Sequence, residues 1–275
     1  VPDSAAREAP IPPDDRGFLY GDGLFETLVV REGTALWLSL HLDRLQQGFV
    51  RLGINQPLET LRNMLKGAAR DCAGAAVLRL TVSRGSGERG YAPSQTPHPR
   101  LSLLSSPLTR DPLTPLPPIQ LARCSFQLSL QPRLAGIKHL NRLEQVLAAR
   151  EAQELGMDDV LMETADGSLY GTSRSNLFLQ TGRQLRTPPC EQAGIAGTRR
   201  RLILERLAAD VGLEARIERL TGDDLAHADG AFLCNSVMGL RGIARIDGVE
   251  QAPAPSLPAL QQAYRERGGR CGASC

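Results

Sequence analysis

Lysine is almost missing from this chain. Lysine and arginine together number 32, and only Lys66 and Lys138 are lysines. An arginine guanidinium stays protonated and delocalised, so it cannot serve as a neutral nucleophile, whereas a desolvated lysine amine can. A chain that uses arginine for generic charge retains lysine where arginine cannot substitute. Other absences narrow the function further. No run of 18 apolar residues occurs, which excludes a membrane-spanning helix. The net charge is only +2 and the arginines are interleaved with Asp and Glu, which argues against nucleic-acid and membrane partners. Six cysteines, at 72, 124, 190, 234, 271 and 275, form no CxxC pair and have no histidine at metal-ligand spacing, so no metal is expected. Cys271 and Cys275 read as a frayed tail, and the other four as buried small hydrophobes of a cytoplasmic protein. The opening VPDSAAREAPIPPDD lacks the apolar core of a signal peptide.

What is present suits a two-lobed enzyme. A length of 275 residues with 41% hydrophobic content is large for one core. The pattern divides into a small N-terminal lobe over residues 1–110, a proline-rich linker DPLTPLPP over 111–118, and a larger C-terminal lobe over 119–275. In the first lobe LFETLVV reads as a strand. Leu42, Leu45, Phe49 and Leu52 take helical spacing from about residue 39, and a second helix spans roughly 57–71. AAVLRLTVSRG and RLSLLSS read as paired strands. In the second lobe come a strand at IQLARCSFQL, a hairpin turning at Asp166-Gly167, a helix over 198–209 and a buried strand at 230–236.

Two places carry chemistry. Lys66 lies in an amphipathic helical stretch and reads as solvated. Lys138 sits where an apolar lead-in meets the start of a long helix, a position from which an amine can be buried and aimed into a cleft. His139 adjoins it but points elsewhere on a helix. Gly194 and Gly197 bracket a turn before the helix at Thr198, whose free backbone amides and positive dipole end suit a dianionic phosphate. Thr198 and Arg199 would donate main-chain amides there. GSGERGY lacks the Lys-Ser/Thr of a P-loop and the strand-to-helix setting of a dinucleotide fold. His98 and His227 read as structural or exposed.

The segment GIKHLNRLEQVLAARE, residues 136–151, resembles the Schiff-base lysine motif of fold-type IV pyridoxal-phosphate enzymes. That family includes branched-chain aminotransferases, D-amino-acid aminotransferases and 4-amino-4-deoxychorismate lyases, and the KHLNRLEQ wording is most similar to the lyases. DDRGFLYGDGLFETLVV, HLDRL, RGSGERGY, DGSLYGTSRSNLFL, GIAGTRRRLILE and CNSVMGL resemble further family motifs in the family's order.

The resemblance implies an α+β, two-lobed fold whose C-terminal lobe is barrel-like, a homodimer, and pyridoxal 5'-phosphate as cofactor. Lys138 is the implied catalytic residue. Arg44, Gly197, Thr198, Arg199, Asn235 and Ser236 are the implied cofactor-binding residues, and Arg89 and Tyr91 the implied substrate contacts. The implied activity is release of 4-aminobenzoate and pyruvate from 4-amino-4-deoxychorismate. Transamination on the same scaffold, or a noncatalytic role, remains open.

One departure stands out. Five residues before Asn176 the family has a glutamate that pairs with the pyridine nitrogen, and here that position is Gly171. Arg174, a water or a backbone group is the expected neighbour instead. Gly171→Glu would restore the pair, unless the glycine serves a backbone conformation that a side chain resists.

Overall fold

Alternation in GLFETLVVR builds the first sheet. The computed structural model of the chain describes residues 11–94 and 96–271. Short α1 (Arg16–Tyr20), capped by the Asp15 carboxylate, leads into β1 (Gly23–Arg31). Successive side chains of a strand point to opposite faces. Leu24, Glu26, Leu28 and Val30 therefore share one face of β1, and Phe25, Thr27 and Val29 the other. The first face is covered by α2 (Leu38–Leu52) and α3 (Leu58–Arg70), which bury Leu42, Leu45, Phe49, Leu61 and Leu65 against it. Burial of each such side chain stabilises by about 1.5–3 kcal/mol. With β2 (Thr34–Ala35), β3 (Ala76–Ser83) and β4 (Arg100–Pro107), the sheet is antiparallel in the order β2-β1-β3-β4. Gly48 of α2 lies so close to β1 that an added Cβ would stand 2.5 Å from Leu24.

The second sheet follows the proline-rich stretch. It comprises β5 (Ile119–Arg123), β6 (Asp159–Glu163), β7 (Leu169–Thr172), β8 (Asn176–Thr181), β9 (Gln184–Thr187), β10 (Glu214–Ile217), β11 (Gly230–Asn235), β12 (Gly239–Ile246) and β13 (Val249–Glu250). The order β8-β11-β12-β5-β6-β7 returns to β8 through the pair Gly171↔Asn176, closing a six-stranded barrel. Each barrel strand sends apolar side chains inward, among them Leu121, Leu161, Leu169, Leu177, Leu233 and Ile243. Outside, α4 (Leu143–Glu154) covers β6 through Ala148 and Ala152. α5 (Thr198–Leu202) runs through a π-helical turn (Ile203–Leu207) into α6 (Ala208–Asp210). α7 (Gly222–Ala226) carries a capping box on Thr221, and α8 (Leu257–Gly269) packs Tyr264 on Trp37. The fold is α+β, with a helix-backed open sheet beside a barrel.

Three expectations change. Lys138 is not at a helix start, because α4 begins only at Leu143. Residues 136–140 are irregular rather than helical, with isolated bridges at Gly136 and His139, since the chain on both sides offers backbone partners. The Phe25 amide donates to Lys138 O at 2.9 Å and the Leu140 amide to Gly23 O at 3.0 Å, while Gly136 bridges Ile195. The lysine segment thus ties β1 to the turn before α5. Cys271 is not frayed: it is buried, and its sulfur accepts the Trp37 amide at 3.3 Å. Cys275 lies outside the described residues. Of the four cysteines expected in the core only Cys234 is fully buried, while Cys72, Cys124 and Cys190 are half-buried. No helix among the described residues is long and apolar enough to cross a membrane.

Candidate active site

Lys138 enters the cleft from this bridged segment, and its Nζ lies 4.1 Å from the centre of the Phe25 ring. The Arg79 guanidinium lies 4.1 Å from the same ring, reaching it from β3, where Arg79 stands opposite Thr27. Burial of Lys138, with the nearby positive charge of Arg44 and also of Arg142 and Arg79, pulls its amine down to about 7 against the opposing pull of Glu26. A lysine at its ordinary value near 10.4 is about one part in a few thousand neutral at pH 7, whereas this one is about half neutral. Nucleophilicity at neutral pH is therefore built into the position.

Glu26 is the residue that sequence reasoning missed. It is fully buried on the helix-facing side of β1. Arg44 donates to it twice, Nε to Oε1 and Nη2 to Oε2, each at 2.7 Å, and His41 Nδ1 approaches Oε2 at 2.6 Å. Burial alone would raise the Glu26 carboxyl, but the Arg44 charge and these hydrogen bonds hold it well below the usual carboxylate range. An ionised carboxylate only accepts, so His41 donates from Nδ1. Burial lowers His41 to about 4, against the pull of Glu26, so at neutral pH the ring is uncharged and Nε2 is an acceptor. That nitrogen faces Thr198 Oγ1 at 3.5 Å, and the same hydroxyl lies 3.1 Å from Ser236 Oγ. The signal in the sequence was a lone acid at a core-facing position of an otherwise apolar strand.

The turn before α5 forms the other wall. Gly197 is backed so closely by Asn176 that an added Cβ would stand 2.0 Å from Asn176 Oδ1. Asn176 Nδ2 in turn donates to Ile195 O at 2.9 Å, fixing the turn. The first helical bond runs from the Arg201 amide to Gly197 O, which leaves the preceding amides of Thr198, Arg199 and Arg200 pointing out of the helix start. The Arg44 Nη1 donates to Ala196 O at 2.9 Å and brings a cation to the same end. Arg199 is buried against Trp37 and Tyr264, and its Nη2 has no hydrogen-bond partner among the described residues. Free amides, two hydroxyls and buried guanidinium groups make this end a fit for a dianionic phosphate.

Other expected residues lie elsewhere. Asn235 spends its side chain on the loop: Nδ2 donates to Ser175 Oγ and Arg174 O, and Oδ1 accepts the Val237 and Met238 amides. Ser236 is the member of that pair whose side chain faces Thr198. Arg89 is exposed, and Tyr91 is 85% exposed with its ring against Tyr20. Neither has a contact with Lys138 among the described residues. The Arg16 guanidinium takes the carbonyls of Gly90, Tyr91 and Ala92 and ties that loop to α1. Arg79, which has no carboxylate partner among the described residues, is the arginine nearest the lysine's aromatic platform. Arg142 donates from Nε to His139 O at 3.0 Å, and its Nη2 contacts His139 Nε2. A cleft of about 290 Å³ runs past His139, Arg142 and Gly194. A larger hollow of about 360 Å³ lies between α6 and α8, lined by Asp210 and Arg267 and by none of the residues just described.

At the departure, Arg174 does not turn inward. Its Nε pairs with Asp159 at 3.2 Å and its Nη2 donates to Asp158 O. Gly171 has φ +137°, and an added Cβ would stand 2.3 Å from Ser175 O. The glycine therefore serves the backbone, closing the barrel where a side chain would part the strands. Gly171→Glu should lose about 1–3 kcal/mol from backbone strain alone, before any clash. A thermal melt checks this, and a variant as stable as the parent would contradict the barrel-closing role.

Comparison with known proteins agrees with this geometry. The profile of the amino-transferase class IV family matches residues 23–246. An aminodeoxychorismate lyase of Vibrio harveyi is 32% identical over 243 residues, covering 87% of this chain and 89% of that protein. A bifunctional aminodeoxychorismate lyase / D-amino acid transaminase of Mycobacterium tuberculosis is 28% identical over 251 residues, covering 86% of this chain and 85% of that protein. The solved 4-amino-4-deoxychorismate lyase of Pseudomonas aeruginosa is 38% identical with a TM-score of 0.86, covering 94% of this chain and 95% of that one.

Proposed function

The chain belongs to the amino-transferase class IV family, and from that premise we propose that it is a pyridoxal-phosphate-dependent lyase converting 4-amino-4-deoxychorismate to 4-aminobenzoate and pyruvate. The observation that carries the reading is the Lys138 amine, drawn down to about 7 amid three arginines. The lyase names of the relatives from Vibrio harveyi and Pseudomonas aeruginosa support the substrate. Thr198, Ser236, Arg44 and the amides at the start of α5 would hold the cofactor phosphate, and the Lys138 amine would be the group that meets its aldehyde. Bound cofactor supplies an electron sink for the carbon beside the substrate amine. The Lys138 amine, neutral in about half of the molecules near pH 7, would remove the proton from that carbon. The electron pair expels the enolpyruvyl oxygen, the ring becomes aromatic, and the enol gains a proton at its methylene to leave as pyruvate. Arg79 would bind a substrate carboxylate, since it lies beside Phe25 and near Lys138 and has no carboxylate partner among the described residues.

A second reading, amino transfer from D-amino acids, is favoured by the bifunctional relative. Pyruvate release from 4-amino-4-deoxychorismate, measured beside conversion of D-alanine with 2-oxoglutarate, separates the two. No pyruvate from the first substrate would refute the lyase assignment.

The depressed amine has its own check. The cofactor-free protein, labelled with an amine reagent and mapped by mass spectrometry, should show Lys138 modification half-maximal near pH 7. A midpoint near 10 would remove the basis for its reactivity. A homodimer completes the reading. Leu143, Val146 and Leu147 of α4 are 77%, 58% and 52% exposed at helical spacing, a few residues past Lys138. Sedimentation should give a dimer, and Val146→Asp should shift it toward monomer. A dilute parent protein that is fully active as a monomer would contradict this.

A further inference from the structure

A pyridine nitrogen holds a proton in a protein when an anionic partner faces it, and the held proton is what makes the ring a strong electron sink. The question is whether any carboxylate can play that part here. Tyr170, Asn176 and Cys190 each reach the turn 194–197, and Gly171 pairs with Asn176 beside it. An ideal Cβ on Gly194 would stand 3.3 Å from Tyr170 Cδ1, so the Tyr170 ring lies directly beneath the turn. Gly171 presents only backbone. Asn176 is neutral and spent on Ile195 O. Cys190 donates to Ile195 O at 3.5 Å, and burial pushes its thiol up, so it stays uncharged. Burial likewise raises Tyr170, whose neighbours Asp166, Cys190 and Glu191 push the same way.

Of the acids nearby, Glu191 is exposed at the surface beside Cys190, and the others are engaged elsewhere. Glu163 pairs with Arg123 at 3.5 Å and Asp159 with Arg174 at 3.2 Å. Asp166 accepts from Thr164 and Ser168 in the hairpin turn. Glu144 accepts the Ser129 amide at 2.8 Å, and Glu26 is consumed by Arg44 and His41. A local irregularity explains how the wall became neutral. β6 and β7 pair as Met162↔Gly171 and then Glu163↔Leu169, so Tyr170 is an extra residue, a bulge. A bulge re-aims the side chains around it. Here it sets an aromatic ring under the turn.

We infer that pyridoxal phosphate bound in this site keeps its ring nitrogen unprotonated, because Tyr170, Gly171, Asn176 and Cys190 offer it a neutral wall in place of a carboxylate. The inference rests on the cofactor reading above and deepens it. The surrounding charges act in the same direction, since Arg44, Arg142 and Arg79 oppose a further cation near Lys138. An unprotonated ring is a weaker sink. It suits a reaction in which the electron pair leaves at once with a departing oxygen and a new aromatic ring, and it disfavours amino transfer, which needs the pair held until a proton returns on the cofactor.

The test uses the holoenzyme reconstituted with pyridoxal phosphate carrying 15N in the ring. The parent protein should show the 15N resonance of a neutral pyridine across roughly pH 6–8. Tyr170→Glu, which sets a carboxylate in the neutral wall, should move that resonance toward the pyridinium position. A pyridinium resonance in the parent overturns the inference and leaves the lyase reading standing. An unmoved resonance in folded, cofactor-loaded Tyr170→Glu overturns the part assigned to Tyr170. A parent protein that takes up no cofactor overturns both the inference and the reading it rests on.

Discussion

Lys138→Ala should abolish turnover and the visible cofactor absorbance together. Lys138→Arg should fail as completely. It keeps the positive charge and most of the length, but a guanidinium cannot become the neutral amine that the site prepares. The loss is one of chemistry rather than of folding, because the segment around Lys138 is held by its backbone. The bonds from Phe25 N and Leu140 N, and the bridge from Gly136 to Ile195, do not involve the lysine side chain. Both variants should therefore melt within about 1 kcal/mol of the parent. Lys66→Ala should retain both activity and absorbance, since Lys66 lies on α3, away from the cleft-facing side of β1. Removing a general acid or base costs about 10²–10⁴ in rate, and a residue with the further anchoring role proposed for Lys138 should cost more. Equal loss from Lys66→Ala and Lys138→Ala, or substantial turnover in Lys138→Arg, would end the case for the lysine.

Much of this was legible in the sequence because it depends on local rules. The helical spacing of Leu42, Leu45 and Phe49, the Asp166-Gly167 turn and the glycines before Thr198 declare their elements without reference to the rest of the chain. The scarcity of lysine, read together with the KHLNRLEQ wording around it, did the same for Lys138. What was not legible depends on long-range pairing. Lys138 looked like the first turn of a helix, but its backbone is claimed by β1 and by the 194–196 turn, more than fifty residues away in one direction and more than a hundred in the other. Gly171 looked like a lost carboxylate, yet its φ and the approach of Ser175 O show a backbone requirement that no periodicity encodes. Counting from Asn176 also missed Tyr170, since a bulge is invisible until the partner strand is known. Arg89 and Tyr91 were chosen from a glycine-rich loop, while the arginine that reaches Phe25 sits in a strand that reads as ordinary core.

Glu26 shows the same limit from the stability side, and its removal should produce the largest loss of stability in the molecule. Breaking a buried ion pair by neutralising one partner typically costs about 3–5 kcal/mol, because the other charge remains buried without compensation. Glu26→Gln does this to Arg44, which lies between α2 and the Ala196 carbonyl and makes two of its bonds to the carboxylate. Urea unfolding should show the loss, and Glu26→Gln with Arg44→Met should recover part of it by removing the stranded cation. The wild type should also weaken in acid, first through His41. That ring titrates at about 4 in the fold against about 6.5 when unfolded. The unfolded state therefore binds the extra proton first, and stability falls as pH drops from about 6.5 to 4. The Glu26 carboxyl, held far lower, adds its share only in stronger acid, as pH falls below the ordinary glutamate value. His41→Gln should flatten the first of these slopes and leave the second. If Glu26→Gln unfolds within about 1 kcal/mol of the parent, the triad does not hold β1 to α2, and the path from Glu26 through His41 to the Thr198 hydroxyl loses its structural basis.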